Sequence, residues 1–269
     1  MLARIELATL GLPVLLGVFW LLDRWARRRR KVQWGPDRRV NLVYWFLQFV
    51  GVDPVVDWAQ HVFFGAMLAT SAGVVRGVTA PWVGRQPAVL QGIVLVLTAD
   101  LLLYWWHRFM HTRVAWRYHA VHHSTVELDW LGAVRHHPLE GLAGSLITGV
   151  PLVLLGFSSG VVAGWWIPLS IFLDWLSHAN LGWDFGPFRY VLASPAYHRW
   201  HHATDAEAID KNFAQVFPIW DVLFGTCYLP SDGRQPKGYG LVANDVPATL
   251  GGQLLHPFVR RDRHQVTGR

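Results

Sequence analysis

The chain has 269 residues, a formal charge of +6, a mean hydropathy of +0.23 and 52% hydrophobic residues. That balance is too apolar for an ordinary soluble domain and points to a membrane protein, as do the 16 tryptophans, a residue that favours membrane–water interfaces. The single cysteine, Cys227, excludes an intramolecular disulfide and any thiolate-only zinc or iron–sulfur site.

Residues 4–23 form an apolar run of roughly 20 residues, long enough to span a hydrocarbon core. Arg24, Arg27, Arg28, Arg29, Arg30, Lys31, Arg38 and Arg39 crowd the segment after it. A signal peptide carries its charge before the apolar run and ends in a small-residue cleavage site, and neither feature is present. The pattern predicts an uncleaved helix with its N-terminus outside the cytoplasm and the basic cluster at the cytoplasmic surface. A nucleic-acid patch is the weaker reading, because the cluster abuts an apolar run; no nucleic-acid partner is expected. Residues 41–75 are again apolar, interrupted by GVDP at 51–54. Pro54 with Asp53 and Asp57 predicts a kink or an interfacial piece before the span. His61 belongs to no motif and is expected to make a buried polar contact. Residues 76–87 read as a polar turn.

Residues 88–106 form the next span and lead into DLLLYWWHRFMHTRVAWRYHAVHHS, Asp100 to Ser124. Here His107 and His111 are spaced HxxxH, and His119, His122 and His123 are spaced HxxHH. Positions i, i+3 and i+4 share a helical face. His198, His201 and His202 repeat HxxHH in SPAYHRWHHA. A lone histidine is usually a core residue, but eight in three boxes at helical spacing are not so explained. Imidazole binds iron, zinc, copper or nickel, and three converging boxes predict a site for two metal ions. Asp100 lies on the face of His107 and is expected to accept the second ring N–H of a ligating histidine; the alternative is a membrane-buried acid that hydrogen-bonds a neighbouring helix. His136 and His137 are adjacent, so on a helix they diverge by about 100° and one of them should reach the centre.

Residues 141–176 are apolar with a GFSSG break at 156–160, which predicts a helical hairpin that dips into or across the membrane. Asp174 precedes His178 by one helical turn. His178 is a candidate ligand and Asn180 a candidate neighbour. From Trp183 onward the chain is polar and mixed, and Asp221 alone reads as a helix or turn cap. GYGLVA at 238–243 lacks the strand–turn–helix context of a dinucleotide site. His256 and His264 fall outside every box and carry no predicted role. The expected organisation is N-terminal membrane helices over 1–87, a metal-binding unit over 88–230 and a peripheral tail over 231–269. The fold class is all-α: an integral membrane bundle of about four or five membrane helices with a cytoplasmic, histidine-rich helical cap. Counting spans places the chain inside at 24, outside near 76, inside at 107, and back on that side by 178.

The motifs YWWHRFMH, WRYHAVHHS, LDWLGAVRHHPLE, SHANLGW, SPAYHRWHHA and KNFAQVFPIWDVLFGT, in this order, resemble the fatty acid hydroxylase superfamily, also called the sterol desaturase family. The resemblance runs from about Arg38 to about Tyr228. It implies an integral membrane, non-haem di-iron enzyme that uses O2 to hydroxylate or desaturate a lipid. The family pattern RxHP selects His137 over His136, with Arg135 pairing Glu140 or a headgroup. The implied ligands are His107, His111, His119, His122, His123, His137, His178, His198, His201 and His202. Asp100, Asp174, Asn180, Asn212 and Asp221 would brace them from behind, the last two in the family's tail motif. Two iron ions are the implied cofactor. No flavin or nicotinamide fingerprint and no fused haem domain is present, so electrons are expected from a separate ferredoxin or cytochrome b5-like donor with its reductase. The substrate would be a sterol, fatty acyl chain, ceramide, carotenoid or ether lipid entering from the bilayer. The expected location is multi-pass in the plasma or inner membrane. Two rivals stand: a histidine-rich metal transporter or store, which would place ligands along a midplane pathway, and a zinc hydrolase, which would want HExxH and a general base.

Overall fold

The computed structural model describes residues 12–30, 35–52, 54–55, 58, 62, 83–157, 161–243 and 245–259. Asp53, Asp57, His61 and His264 lie outside the described residues, as do Lys31 and the side chains of Arg27 to Arg30. Within the described residues all regular elements are helical, and the only strand-like pairing is an isolated bridge between Ala203 and Tyr239.

Helix α1 is Leu12–Arg30 and α2 is Pro36–Phe46. Pro36 suits the first turn, where its missing N–H has no intrahelical partner to lose. A π-helical turn, Leu47–Val52, carries α2 up to the GVDP break. Helix α3, Ala88–Met110, has 23 residues and is the one described helix long and apolar enough to cross a membrane. Its two faces differ. Val89, Ile93, Leu97, Trp105 and Phe109 recur at multiples of four residues and are exposed. Gly92, Val96, Ala99, Asp100 and Tyr104 are buried on the other side. Gly92 is required there, since a Cβ would lie 2.6 Å from the Trp165 ring.

The remaining elements are α4 (Trp116–His123), a 3-10 turn (Trp130–Val134), α5 (Pro138–Leu154), a π-helical turn (Val162–Trp166) and α6 (Ile167–His178). They are followed by α7 (Pro195–His201), α8 (Ile219–Leu223) and α9 (Leu250–Val259). Helix α3 packs on α5 and on the second π turn, while α6 packs on α7 and on the 130–134 turn. The main core joins Phe19, Leu95, Ala99, Trp130, Trp166, Leu173 and Trp175. Trp175 meets Phe19 edge-on at 5.6 Å and Trp130 at 5.3 Å between ring centroids.

Two arginines are inside: Arg38, expected at a lipid surface, and Arg135, expected beside Glu140 or a headgroup. Arg38 is buried and its Nη1 lies 2.9 Å from both Asp23 and Asp129, so it ties α1, α2 and the 130–134 turn together. Arg135 does not pair with Glu140. Its guanidinium donates to Asp37 at 2.8 Å, Thr125 at 3.3 Å and Asn41 at 3.4 Å, because the loop before α5 folds back on α2. Breaking such a buried pair typically costs about 3–5 kcal/mol, so both arginines fix the 125–135 segment to α1 and α2.

Candidate metal centre

Four helices end at one place. The last turns of α3, α4, α6 and α7 carry His107, His122 with His123, His178, and His198 with His201. His111 and His202 are the residues that close α3 and α7. A helix C-terminus carries a partial negative charge, so the convergence favours cations.

Nine of the histidines sort into two groups, and a third, smaller group of His119, His136 and Glu140 adjoins the first. His107, His111, His119, His123 and His201 form one, with ligand atoms within 4.8 Å of one another; His122, His178, His198 and His202 form the other on the same criterion. The neighbours His122 and His123 go to different groups, as do His201 and His202. Each HxxHH box therefore feeds both groups. The rings of His123 and His202 stack across the boundary at 4.4 Å.

Outward partners fix which ring nitrogens carry protons. A carbonyl oxygen only accepts, so Nδ1 carries the hydrogen in His107 (2.8 Å to the Phe213 carbonyl), His201 (2.7 Å to Lys211) and His178 (2.8 Å to Asp174). In a neutral ring Nε2 is then bare. Nε2 of His107 faces that of His119 at 3.1 Å. Nε2 of His178 lies 3.2 Å from that of His122 and 3.0 Å from that of His198, which is 3.1 Å from that of His202. Nε2 of His123 and of His201 is buried and has no hydrogen-bond partner. Burial first, and then the mutual repulsion of the rings, hold the pKa of His119, His122, His198, His201 and His202 well below the usual imidazole value. Buried ring nitrogens without a partner, such as Nε2 of His123 and of His201, are a cost that a bound cation relieves. Nitrogen-only donor sets suit iron, zinc or copper.

The other predicted residues divide. Nε2 of His137 donates to the Leu254 carbonyl at 3.1 Å and its Nδ1 accepts from Leu139 N, so it turns away from both groups and holds α9. His136 instead stacks on His122 at 4.1 Å. The pair sits in non-helical backbone between the 3-10 turn and α5, where successive side chains alternate, and the motif-based choice of His137 is reversed by that geometry. Asp100 accepts no histidine proton. It receives Val216 N, Phe217 N and Trp220 Nε1 at 2.8–2.9 Å and so pins the loop before α8 to α3. Asp174 serves His178 through its backbone carbonyl, with its carboxylate at 3.5 Å. Asn180 lies half-buried in the turn after α6.

Asn212 and Asp221 act through backbone. Asn212 has φ +60, a left-handed conformation that asparagine tolerates, and its amide donates to the carbonyls of Tyr197 and Tyr228. Asp221 accepts from Phe213 N, Ala214 N, Thr226 Oγ1 and the Tyr197 hydroxyl. The segment they hold supplies the Lys211 and Phe213 carbonyls that orient His201 and His107. Sequence reasoning missed two carboxylates. Glu140 Oε1 lies 2.6 Å from His119 Nδ1, and Asp210 Oδ1 lies 3.1 Å from His111 Nδ1. A lone acid at the head of an apolar run, as Glu140 is, was the available signal.

A model of the fatty acid hydroxylase family matches residues 92–226, half of the chain. Ornithine lipid hydroxylase of Rhizobium tropici is 30% identical over 190 residues, covering 70% of this chain and 56% of that protein. Alkylglycerol monooxygenase of Danio rerio is 36% identical over 137 residues, 51% of this chain and 30% of that one. A very-long-chain aldehyde decarbonylase of Oryza sativa subsp. japonica is 26% identical over 199 residues, 69% of this chain and 31% of that one. The chain thus spans between 30% and 56% of the length of these relatives. No solved structure matches it.

Proposed function

Because the chain belongs to the fatty acid hydroxylase family, we propose that it oxidises a membrane lipid at two iron ions held by its two histidine groups. The observation that carries this reading is the convergence of nine histidine rings, eight of them buried, into one group of five and one of four. The first ion would take His107, His111, His119, His123 and His201, and the second His122, His178, His198 and His202. When bound, the iron pair supplies the reductive activation of O2 that no side chain provides. The chain's own part is to keep the rings neutral, hold their Nδ1 protons outward and exclude water from the buried cap.

The hydroxylation balances as R–H + O2 + 2e⁻ + 2H⁺ → R–OH + H2O; desaturation would use the same electrons and form two waters. A ferredoxin or a cytochrome b5-like protein with its reductase supplies the electrons one at a time. Two relatives are a lipid hydroxylase and a monooxygenase, which favours hydroxylation of a polar lipid's acyl or alkyl chain. The substrate enters from the bilayer beside the exposed apolar stripe of α3. The catalytic unit is residues 88–230, residues 1–87 anchor it, and residues 231–269 are peripheral. The whole is a multi-pass membrane protein with four or five spans and its cap in the cytoplasm. A zinc hydrolase fits less well. The carboxylates nearest the groups among the described residues, Glu140 and Asp210, already face ring nitrogens, leaving no obvious base for water.

The test is turnover of iron-loaded protein in nanodiscs with membrane lipid, ferredoxin, ferredoxin reductase and ¹⁸O2. The expected result is ¹⁸O in a hydroxylated lipid and two irons per chain. Label arriving from water, or turnover by the zinc form without O2, would overturn the reading.

A further inference from the structure

The two histidine groups are backed very differently. In the group of five, four rings have an outward acceptor: Phe213 O for His107, Asp210 for His111, Glu140 for His119 and Lys211 O for His201. Two of those acceptors are carboxylates. In the group of four, His178 is held by a backbone carbonyl, whereas Nδ1 of His122 and Nδ1 of His202 are buried with no hydrogen-bond partner. An outward acceptor locks the ring, fixes its tautomer and raises the basicity of the inward nitrogen. A carboxylate also offsets the charge of a cation held by neutral ligands alone.

Glu140 is the strongest of these acceptors. It is buried, its Oε1 makes the 2.6 Å contact to His119, and its Oε2 has no hydrogen-bond partner. Asp210 is the weaker one, with its side chain 38% exposed.

We infer that the two metal positions are inequivalent: the five-histidine position binds its ion more tightly, and Glu140 is the positioning residue that makes it so. The inference rests on the two-metal reading above and adds which ion is held fast. The four-histidine position, with two unanchored rings, exchanges its ion more readily.

The experiment is a cobalt(II) titration of metal-free full-length protein in detergent, followed by visible absorption and by metal analysis. The wild type should take up two equivalents in two separate steps. Glu140→Gln keeps the size of the side chain and removes its charge. It should weaken the tighter step by about 10- to 100-fold, shift that step's absorption bands and leave the weaker step unchanged. Glu140→Asp should restore part of the affinity. Asp210→Asn, at a position where asparagine tolerates the positive φ, should move the same step in the same direction by less, and this variant stands as the check should Glu140→Gln fold poorly. Two steps of equal affinity, or equal weakening of both steps by Glu140→Gln, would overturn the inference while leaving two metals per chain intact. Uptake of a single equivalent would instead overturn the two-metal reading, and the inference with it.

Discussion

On the wall formed by α1, α2 and the outer face of α3, most exposed side chains are apolar, among them Trp20, Leu21, Phe46, Val89, Ile93, Trp105 and Phe109, with Arg24 and Arg39 the charged exceptions. In the histidine-rich unit many buried side chains are polar, His119, His122, His123, His198, His201, His202, Asn212 and Asp221 among them. A soluble domain does the reverse in both places. On the membrane reading the wall is stable where hydrocarbon is its solvent, and residues such as Ile93 on the outer stripe of α3 have little protein contact to lose. The histidine-rich unit is stable where every polar atom has a partner, and on the two-iron reading its innermost partners are cations. Substitutions should therefore divide sharply between the two, and α3 carries both kinds within one helix.

The largest effects belong to the rings. His201→Ala in one group and His122→Ala in the other should each lower the metal content from about two ions to about one and cut lipid oxidation at least about 100-fold. Metal analysis and turnover on the same preparation check both. A fully active His201→Ala would erase the distinction between the regions, because an exposed wall residue would then behave no differently. Next comes the frame of the cap. Asp221→Asn leaves an amide where four donors meet a carboxylate, and should destabilise the protein by roughly 2–5 kcal/mol. The readout is the melting temperature in detergent, and a change comparable with that of a wall substitution would show that the 211–214 segment is held by something else.

Acid should separate the regions as well. The ring pKa values of His119, His122, His198, His201 and His202 are lowered in the folded state. The unfolded chain, with ordinary values near 6.5, binds more protons below that pH. Their contribution to stability is thus complete above about pH 6.5 and is lost as the pH falls through and below it. Metal-free protein should melt at a lower temperature at about pH 5.5 than at about pH 7.5. A melting temperature independent of pH over that range would mean that the rings are not buried neutral in the metal-free state.

His136 and His137 sharpen the boundary and show where sequence ran out. His136→Ala removes the ring stacked on His122 and should weaken metal binding about 10-fold, by analogy with outer-shell losses. His137→Ala releases α9 from its carbonyl contact, should cost about 1 kcal/mol of stability, and should leave both metals in place. Competition with a metal indicator, run beside thermal melts, distinguishes them. A helical reading of the pair with the RxHP motif selects His137, and the non-helical backbone at 135–137 brings His136 to His122 instead. The boxes were legible because HxxxH and HxxHH are local statements about one helical face. Glu140 was not, because its partner His119 lies on a different helix and only the docking of α5 on α4 brings them together. Asp100 was assigned to the correct face of α3 but to the wrong partner: its donors come from residues 216–220, whose return to α3 no local period encodes. The exchange of rings between groups, with His122 and His123 parting company, likewise depends on where four helix ends meet.

The smallest expected effect is the most direct probe of the wall. Ile93 lies on the outer stripe of α3 and is 52% exposed. If hydrocarbon is its neighbour, Ile93→Ala exchanges a contact with lipid or detergent for a smaller one, and stability should change by no more than about 0.5 kcal/mol. If a further protein surface covers the stripe, the same substitution opens a cavity and should cost about 2–5 kcal/mol, as core truncations do. Gly92→Ala is the internal reference, one residue away on the buried face. Its new Cβ meets the Trp165 ring at 2.6 Å, so it should destabilise through overpacking by about 1–3 kcal/mol. Thermal melts of the two variants in the same detergent compare the faces at a single turn of one helix. A quiet Ile93→Ala beside a damaging Gly92→Ala is the pattern of a helix with lipid on one side and the protein on the other, and equal losses would put protein on both.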